Sequence, residues 1–176
     1  MAINEIMKAI DAAVAQSSYT EMQRAADVFE DDLMGLGRMP TDYFDLLCHI
    51  LGNVWIANSP GVSNFVINTY TDFEKLDGQQ QEKLLEIFVE RFHSYVDEEL
   101  CLASCDFIAR CYPVSVAAKV LDGLSTIACN ESQITGLIVA VNAFEKRDEL
   151  SRNMKIHFSH VKQTLSNMPR KGDGSI

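Results

Sequence analysis

Apolar residues recur three and four positions apart along nearly the whole chain. That is the period of an α-helix buried on one side. The first stripe is Ile3, Ile6, Met7, Ile10 and Val14. After Ser17-Ser18 a second runs through Met22, Ala26, Phe29, Leu33 and Leu36, with Thr20 and Gln23 at capping-box spacing. Gly35, Gly37 and Pro40 end it. A third stripe, from Thr41, carries Phe44, Leu47, Ile50, Leu51, Val54 and Trp55, which puts the single tryptophan in the core. "NSPG" (58–61) breaks the chain, and a fourth helix is predicted with Val62, Phe65, Val66, Thr69, Phe73 and Leu76.

Asp77-Gly78 interrupts the pattern again. The fifth stripe is the clearest: Leu84, Leu85, Phe88, Val89, Phe92, Tyr95 and Val96. Asp97 reads as the N-cap of a sixth helix, with Glu98 and Glu99 in a first turn where carboxylates suit the helix dipole. Pro113 is expected at the first position of a seventh helix, carrying Val114, Ala117, Val120, Leu121 and Leu124. Asn130 caps an eighth with Ile134, Leu137, Ile138, Val141 and Phe144. The ninth runs from about Asp148 to Asn167, with Leu150, Met154, His157, Val161, Leu165 and Met168 as its seam.

The predicted starts fall near 3, 19, 41, 60, 78, 98, 113, 131 and 148, a step of about 18 residues, so a helix pair repeats about every 36. Short connections make neighbours antiparallel. The expected fold is all-α: a right-handed α-solenoid or an irregular bundle of about nine antiparallel helices. The period resembles degenerate HEAT-like repeats over residues 18–167, whereas the tetratricopeptide and ankyrin signatures are missing. One all-helical domain is expected over 1–168, followed by a disordered tail, "PRKGDGSI", at 169–176.

At 176 residues the chain can bury a core without disulfides or metal. No apolar stretch approaches the ~20 residues that span a bilayer, so no membrane association is expected. The N-terminus carries Glu5 and Asp11 at helical spacing and lacks the basic-then-apolar pattern of a secretory signal. The expected location is cytoplasmic, where five cysteines are reduced thiols.

The densest cluster of reactive side chains is "DEELCLASCDFIARCYP" (97–113). On a helix, Cys101 and Cys105 share one face, and Cys111 points about 120° away from Cys105. Both stripes are apolar, the mark of a helix held between neighbours. The three thiols therefore read as core packing rather than as a zinc or nucleophilic site. His93 is taken out of line by the expected bend before Asp97, and His49 reads as a core or boundary residue. His157 and His160 have no local carboxylate or thiol to complete a metal site. Phosphate-loop, dinucleotide and nucleophile-elbow motifs are missing, so neither a cofactor, a small-molecule substrate nor an enzymatic activity is expected.

Charge is more informative. The net charge is −10. Residues 1–145 hold 8 Lys/Arg and 22 Asp/Glu, while 146–176 hold 7 and 3. An acidic body repels phosphate backbones, which disfavours nucleic acid and favours a basic protein. Glu82, Glu86 and Glu90 lie four apart on the polar face of the fifth helix; Asp97, Glu98 and Glu99 follow, and Glu30, Asp31 and Asp32 make a second cluster. These nine carboxylates are the candidate partner-binding residues. The basic C-terminal stretch is expected either to lie against the acidic body or to cap the array.

In size, acidity and helical content the chain resembles bacterial immunity proteins, which occupy the active site of a toxin. The resemblance implies a cytosolic, non-catalytic inhibitor whose partner is a basic toxin domain, for example a nuclease. A general helical scaffold or adaptor shares the same physics. A metal-binding bundle and a HEAT-like enzyme of the alkylpurine glycosylase kind are the rival classes; the latter needs a basic groove for DNA.

Overall fold

In a computed structural model of the chain, residues 2–59, 75–111 and 113–169 are described. Among them every regular element is a helix. None of these helices is long and apolar enough to cross a membrane. They gather into two compact units, Met1–Arg91 and Phe92–Ile176.

The first unit contains α1 (Ile3–Ala15), α2 (Tyr19–Met34), α3 (Thr41–Gly52), α4 (Val54–Ala57) and α5 (Gly78–Arg91). Each starts or stops for a local reason. Glu5 reaches back to accept a hydrogen bond from the Ala2 amide at 3.2 Å. At the end of α1, Ser17 turns left-handed with φ of 50°. The Ser17 amide then donates to Val14 O at 3.0 Å and the Ser18 amide to Ala13 O at 2.9 Å. This two-bond closure usually has glycine at its left-handed position. Released from that turn, the chain starts α2 with Ser18 as its cap, Oγ accepting from the Glu21 amide at 3.4 Å. The capping residue is thus Ser18, not Thr20 as the spacing suggested.

α1 packs on α2 and α3, and α3 packs on α5. Ile6, Ile10, Met22, Phe29, Leu47, Ile50, Leu84 and Phe88 are fully buried. The third helix ends earlier than predicted. Asn53 adopts an extended ψ of 108°, and its side chain accepts from the Trp55 and Ile56 amides at 3.1 and 3.2 Å. This restarts the helix in a new phase. Ile56 and Ala57 become the buried residues, and Trp55 is left partly exposed rather than in the core.

The predicted fourth helix lies almost wholly outside the described residues, as do positions 170–176 of the expected tail. Asp77 does more than interrupt. It caps α5 reciprocally with Gln80: the Gln80 amide donates to Asp77 Oδ1 at 2.9 Å, and the Asp77 amide to Gln80 Oε1 at 3.1 Å. Gln80 also donates from Nε2 to Met39 O at 3.1 Å, tying α5 to the chain entering α3.

The second unit has a single 3₁₀ turn (Phe92–Ser94), then α6 (Glu98–Arg110), α7 (Val114–Ile127), α8 (Glu131–Phe144) and α9 (Arg152–Ser166). Asp97 caps α6, accepting from the Leu100 amide at 2.9 Å, and Asn130 caps α8, accepting from Gln133 at 2.8 Å, both as the sequence predicts. Pro113 stands one residue before α7, with an extended backbone, rather than inside it.

α6 packs against both α7 and α8. Leu100, Cys101, Ser104, Cys105, Phe107 and Ile108 are all fully buried, so the two-sided apolar pattern is realised. The last helix begins at Arg152, capped by Ser151, because residues 145–150 are spent in a turn. Its seam is Met154, Phe158, Val161 and Leu165; Phe158 meets Phe144 edge-to-face at 4.9 Å. His157, predicted in that seam, is exposed instead.

Candidate functional site

The helix that carries Glu82, Glu86 and Glu90 buries Leu84, Ile87 and Phe88. That leaves the three glutamates on the opposite, exposed face. Lys83 pairs with Glu86 at 3.1 Å, and Arg91 approaches Glu90 at 3.6 Å. Such exposed pairs are worth at most about 1 kcal/mol each, and salt screens them. The face therefore remains a negatively charged, accessible strip.

The other two candidate groups are placed differently. Of Glu30, Asp31 and Asp32 on α2, only Asp31 is exposed. Asp32 faces Tyr43 of α3 and accepts its hydroxyl; burial, and then the Asp32 and Asp42 carboxylates, push the Tyr43 pKa up. Asp97 is half-buried and occupied as the α6 cap, while Glu98 and Glu99 are exposed in the first turn. Glu82, Glu86, Glu90 and the α2 cluster belong to the first unit; Asp97, Glu98 and Glu99 belong to the second.

The division into units sharpens the charge argument. Met1–Arg91 contains six Lys/Arg and fifteen Asp/Glu, a balance of −9. Phe92–Ile176 contains nine and ten, a balance of −1. The net negative charge of the chain therefore lies almost wholly in the first unit, because the ten carboxylates of the second are nearly balanced by its nine cations.

Two residues of the basic C-terminal stretch, Arg147 and Lys162, are used inside the second unit. Arg147 donates from Nη1 to Ala109 O at 2.9 Å and to Cys111 O at 3.0 Å, closing the carbonyl end of α6. Its guanidinium lies 5.7 Å from the Phe144 ring centroid. Lys162 reaches Glu145 at 2.7 Å and Asn142 at 3.0 Å, joining α9 to the end of α8. His157 bonds Asp122 of α7 at 2.8 Å, beside an open cleft of about 330 Å³ that Lys119 and Met154 also line.

The three clustered thiols are chemically quiet. Cys101, Cys105 and Cys111 are buried and Cys129 is exposed. Burial first, and then Asp97 and Glu98, push the Cys101 thiol up to about 12. Cys105 is driven well above its ordinary value, chiefly by burial. Burial lifts Cys111 to about 11 although Arg110 and Arg147 pull the other way. A thiolate, the form that attacks or ligates, is strongly disfavoured at all three. Among the described residues no group of three or more His, Cys, Asp and Glu side chains is arranged to hold a metal ion.

Three features escaped the sequence reading. Gly136 marks a close helix crossing, but an isolated glycine in a helical pattern has many causes. Buried Gln133 donates from Nε2 to Phe92 O and Tyr95 O, each at 3.0 Å, and accepts from the Cys129 amide at 2.9 Å. A polar residue at the third position of a helix gives no such signal. The third feature is a stack between Tyr19 and Trp55, centroids 4.9 Å apart, which no periodicity joins.

Comparison with protein-family models, with curated proteins and with solved structures returns no match for the chain.

Proposed function

We propose that the protein is a non-catalytic binding module that takes a basic protein partner on the acidic surface of its first unit. It acts as a cytoplasmic inhibitor of the immunity-protein kind, and its partner is a basic toxin domain such as a nuclease. One observation carries this reading: the Met1–Arg91 unit has a charge balance of −9 and exposes Glu82, Glu86 and Glu90 along one helix face. Like charges at a spacing of four weaken an isolated helix by a few tenths of a kcal/mol per pair. A charge strip of this kind raises the encounter rate with an oppositely charged partner and rejects phosphate backbones.

The chemistry of the described residues agrees with a binding role. The clustered thiols are buried, and Arg147 and Lys162 of the basic C-terminal stretch are engaged within their own unit. We infer a HEAT-like α-solenoid as the finer architecture. It is supported by starts of the longer described helices, 3, 19 and 41 in the first unit and 98, 114, 131 and 152 in the second, which follow one another at steps of 16 to 22 residues; the short α4 at 54 falls outside that step.

The test is a parallel capture from the native host with the wild-type chain and with a Glu82→Lys, Glu86→Lys, Glu90→Lys variant, read by mass spectrometry. The expected result is a basic protein held by the wild type at low ionic strength and lost by the variant. Equal capture by both chains would refute the role of this face.

A further inference from the structure

The described phenylalanines of the first unit, Phe29, Phe44 and Phe88, are all buried. Tyr19 and Trp55 are not. Tyr19 is 50% exposed and Trp55 is partly exposed. Their rings lie nearly parallel, 15° apart, with centroids 4.9 Å apart. An aromatic ring buries 150–250 Å² when placed inside, roughly, so leaving two at the surface forgoes considerable stabilisation.

Both rings are held on fixed backbone. Tyr19 is the first residue of α2, directly after the left-handed Ser17 turn and the Ser18 cap. The Trp55 amide is taken by Asn53, and its carbonyl accepts the Ser59 hydroxyl at 2.7 Å. Asn58 also donates from Nδ2 to Val54 O at 3.0 Å, which locks the short α4. The stack is therefore a pre-organised platform, and a ligand that uses it avoids ordering costs.

The charge of the unit selects the ligand. With −9 on Met1–Arg91, a cation is drawn to this unit. Tryptophan gives the strongest cation–π attraction of the aromatic residues. Arginine is the cation that fits a flat ring pair: its guanidinium is planar, weakly hydrated and stacks on aromatic faces, unlike the compact lysine ammonium. Trp, Tyr and Arg are also the residues that dominate binding energy at interfaces.

We propose that the Tyr19–Trp55 stack is the anchor of the interface, and that it receives an arginine side chain of the basic protein partner. This rests on the reading that the first unit binds a basic partner, and it adds where the contact is made and by which residue. The acidic helix face speeds the encounter; the stack slows the dissociation.

Trp55 is the sole tryptophan, so its fluorescence reports on the anchor directly. The probes are a short peptide of alternating arginine and glycine and its lysine counterpart, both also followed by anisotropy of an attached dye. The arginine peptide is expected to change Trp55 emission saturably and to bind at least about fivefold tighter than the lysine peptide. Tyr19→Ala and Trp55→Ala should each weaken the arginine peptide about tenfold, and Trp55→Phe should restore most of the loss. Circular dichroism of each variant checks that the helices are kept. Equal binding of the two peptides with unchanged Trp55 emission would overturn the anchor while the acidic-surface reading stands. Failure of both peptides to bind at low ionic strength would overturn both.

Discussion

A Cβ placed on Gly136 would lie 2.9 Å from the carbonyl oxygen of Cys101. The same Cβ would be 3.0 Å from the Cys101 carbonyl carbon and 3.3 Å from Cys105 Sγ. Helices α6 and α8 cross here almost backbone to backbone, and this explains the small thiols. Cys101 and Cys105 fill the crossing where a larger apolar side chain would force the helices apart.

Gly136→Ala is therefore a sharp test of packing. On an open helix the change gains about 1 kcal/mol of propensity. At this crossing it should instead destabilise the protein by about 1–3 kcal/mol, since backbone must move. Urea unfolding measures the sign. A more stable variant would show that the crossing is looser than described.

Gln133 is the polar counterpart of that crossing. It satisfies two carbonyls of the 92–95 turn and the Cys129 amide, while Asn130 adds a bond to Tyr95 O at 3.0 Å. Gln133→Leu keeps most of the volume and strands buried polar groups. The expected loss is about 2–3 kcal/mol, seen as a lower denaturant midpoint with an unchanged slope. A neutral result would mean that water replaces the bonds.

Ser17 holds a left-handed conformation that costs a non-glycine residue about 1 kcal/mol. Ser17→Gly should raise stability by about 0.5–1 kcal/mol, and Ser17→Val should lower it. Thermal unfolding of the two variants decides this; a destabilising glycine would contradict the assigned turn.

The buried thiols make stability fall at alkaline pH. Burial lifts the Cys101 thiol to about 12 in the fold, against the ordinary 9.0 of a thiol in the unfolded chain. Its contribution is complete below pH 9 and is lost as pH rises toward 12, because the unfolded chain releases the proton first. The slope reaches about 1.4 kcal/mol per pH unit for one thiol. Cys101→Ala should show a shallower decline over that window than the wild type. At neutral pH a thiol reagent should label Cys129 quickly and Cys101, Cys105 and Cys111 only on unfolding. Cys48 is half-buried and should label at an intermediate rate. Rapid labelling of Cys101, Cys105 or Cys111 in the folded protein would contradict the burial.

Much of the fold was legible because most helices announce themselves twice, by a 3.6-residue stripe and by a capping residue. Asp97 and Asn130 are the clearest instances, and both hold the predicted positions. Trp55 was misplaced because Asn53 has two readings in sequence: a polar residue within a helix, or a cap that starts another. His157 was misplaced because the turn at 145–150 shifts the start of α9 and lets Phe158 take the buried line. For the candidate site, periodicity put Glu82, Glu86 and Glu90 on the correct outward face. It could not show the half-buried state of Glu30 and Asp32, which depends on what α2 meets in space. Nor could it join Tyr19 to Trp55, thirty-six residues apart.

On the proposed reading, the exposed glutamates of α5 draw in a basic partner. Its most direct test is the association rate with the captured partner as a function of ionic strength, for the wild type and the Glu82→Lys, Glu86→Lys, Glu90→Lys variant. The variant should associate about tenfold more slowly at low salt, with the gap closing as salt rises. Equal rates at low salt would contradict it.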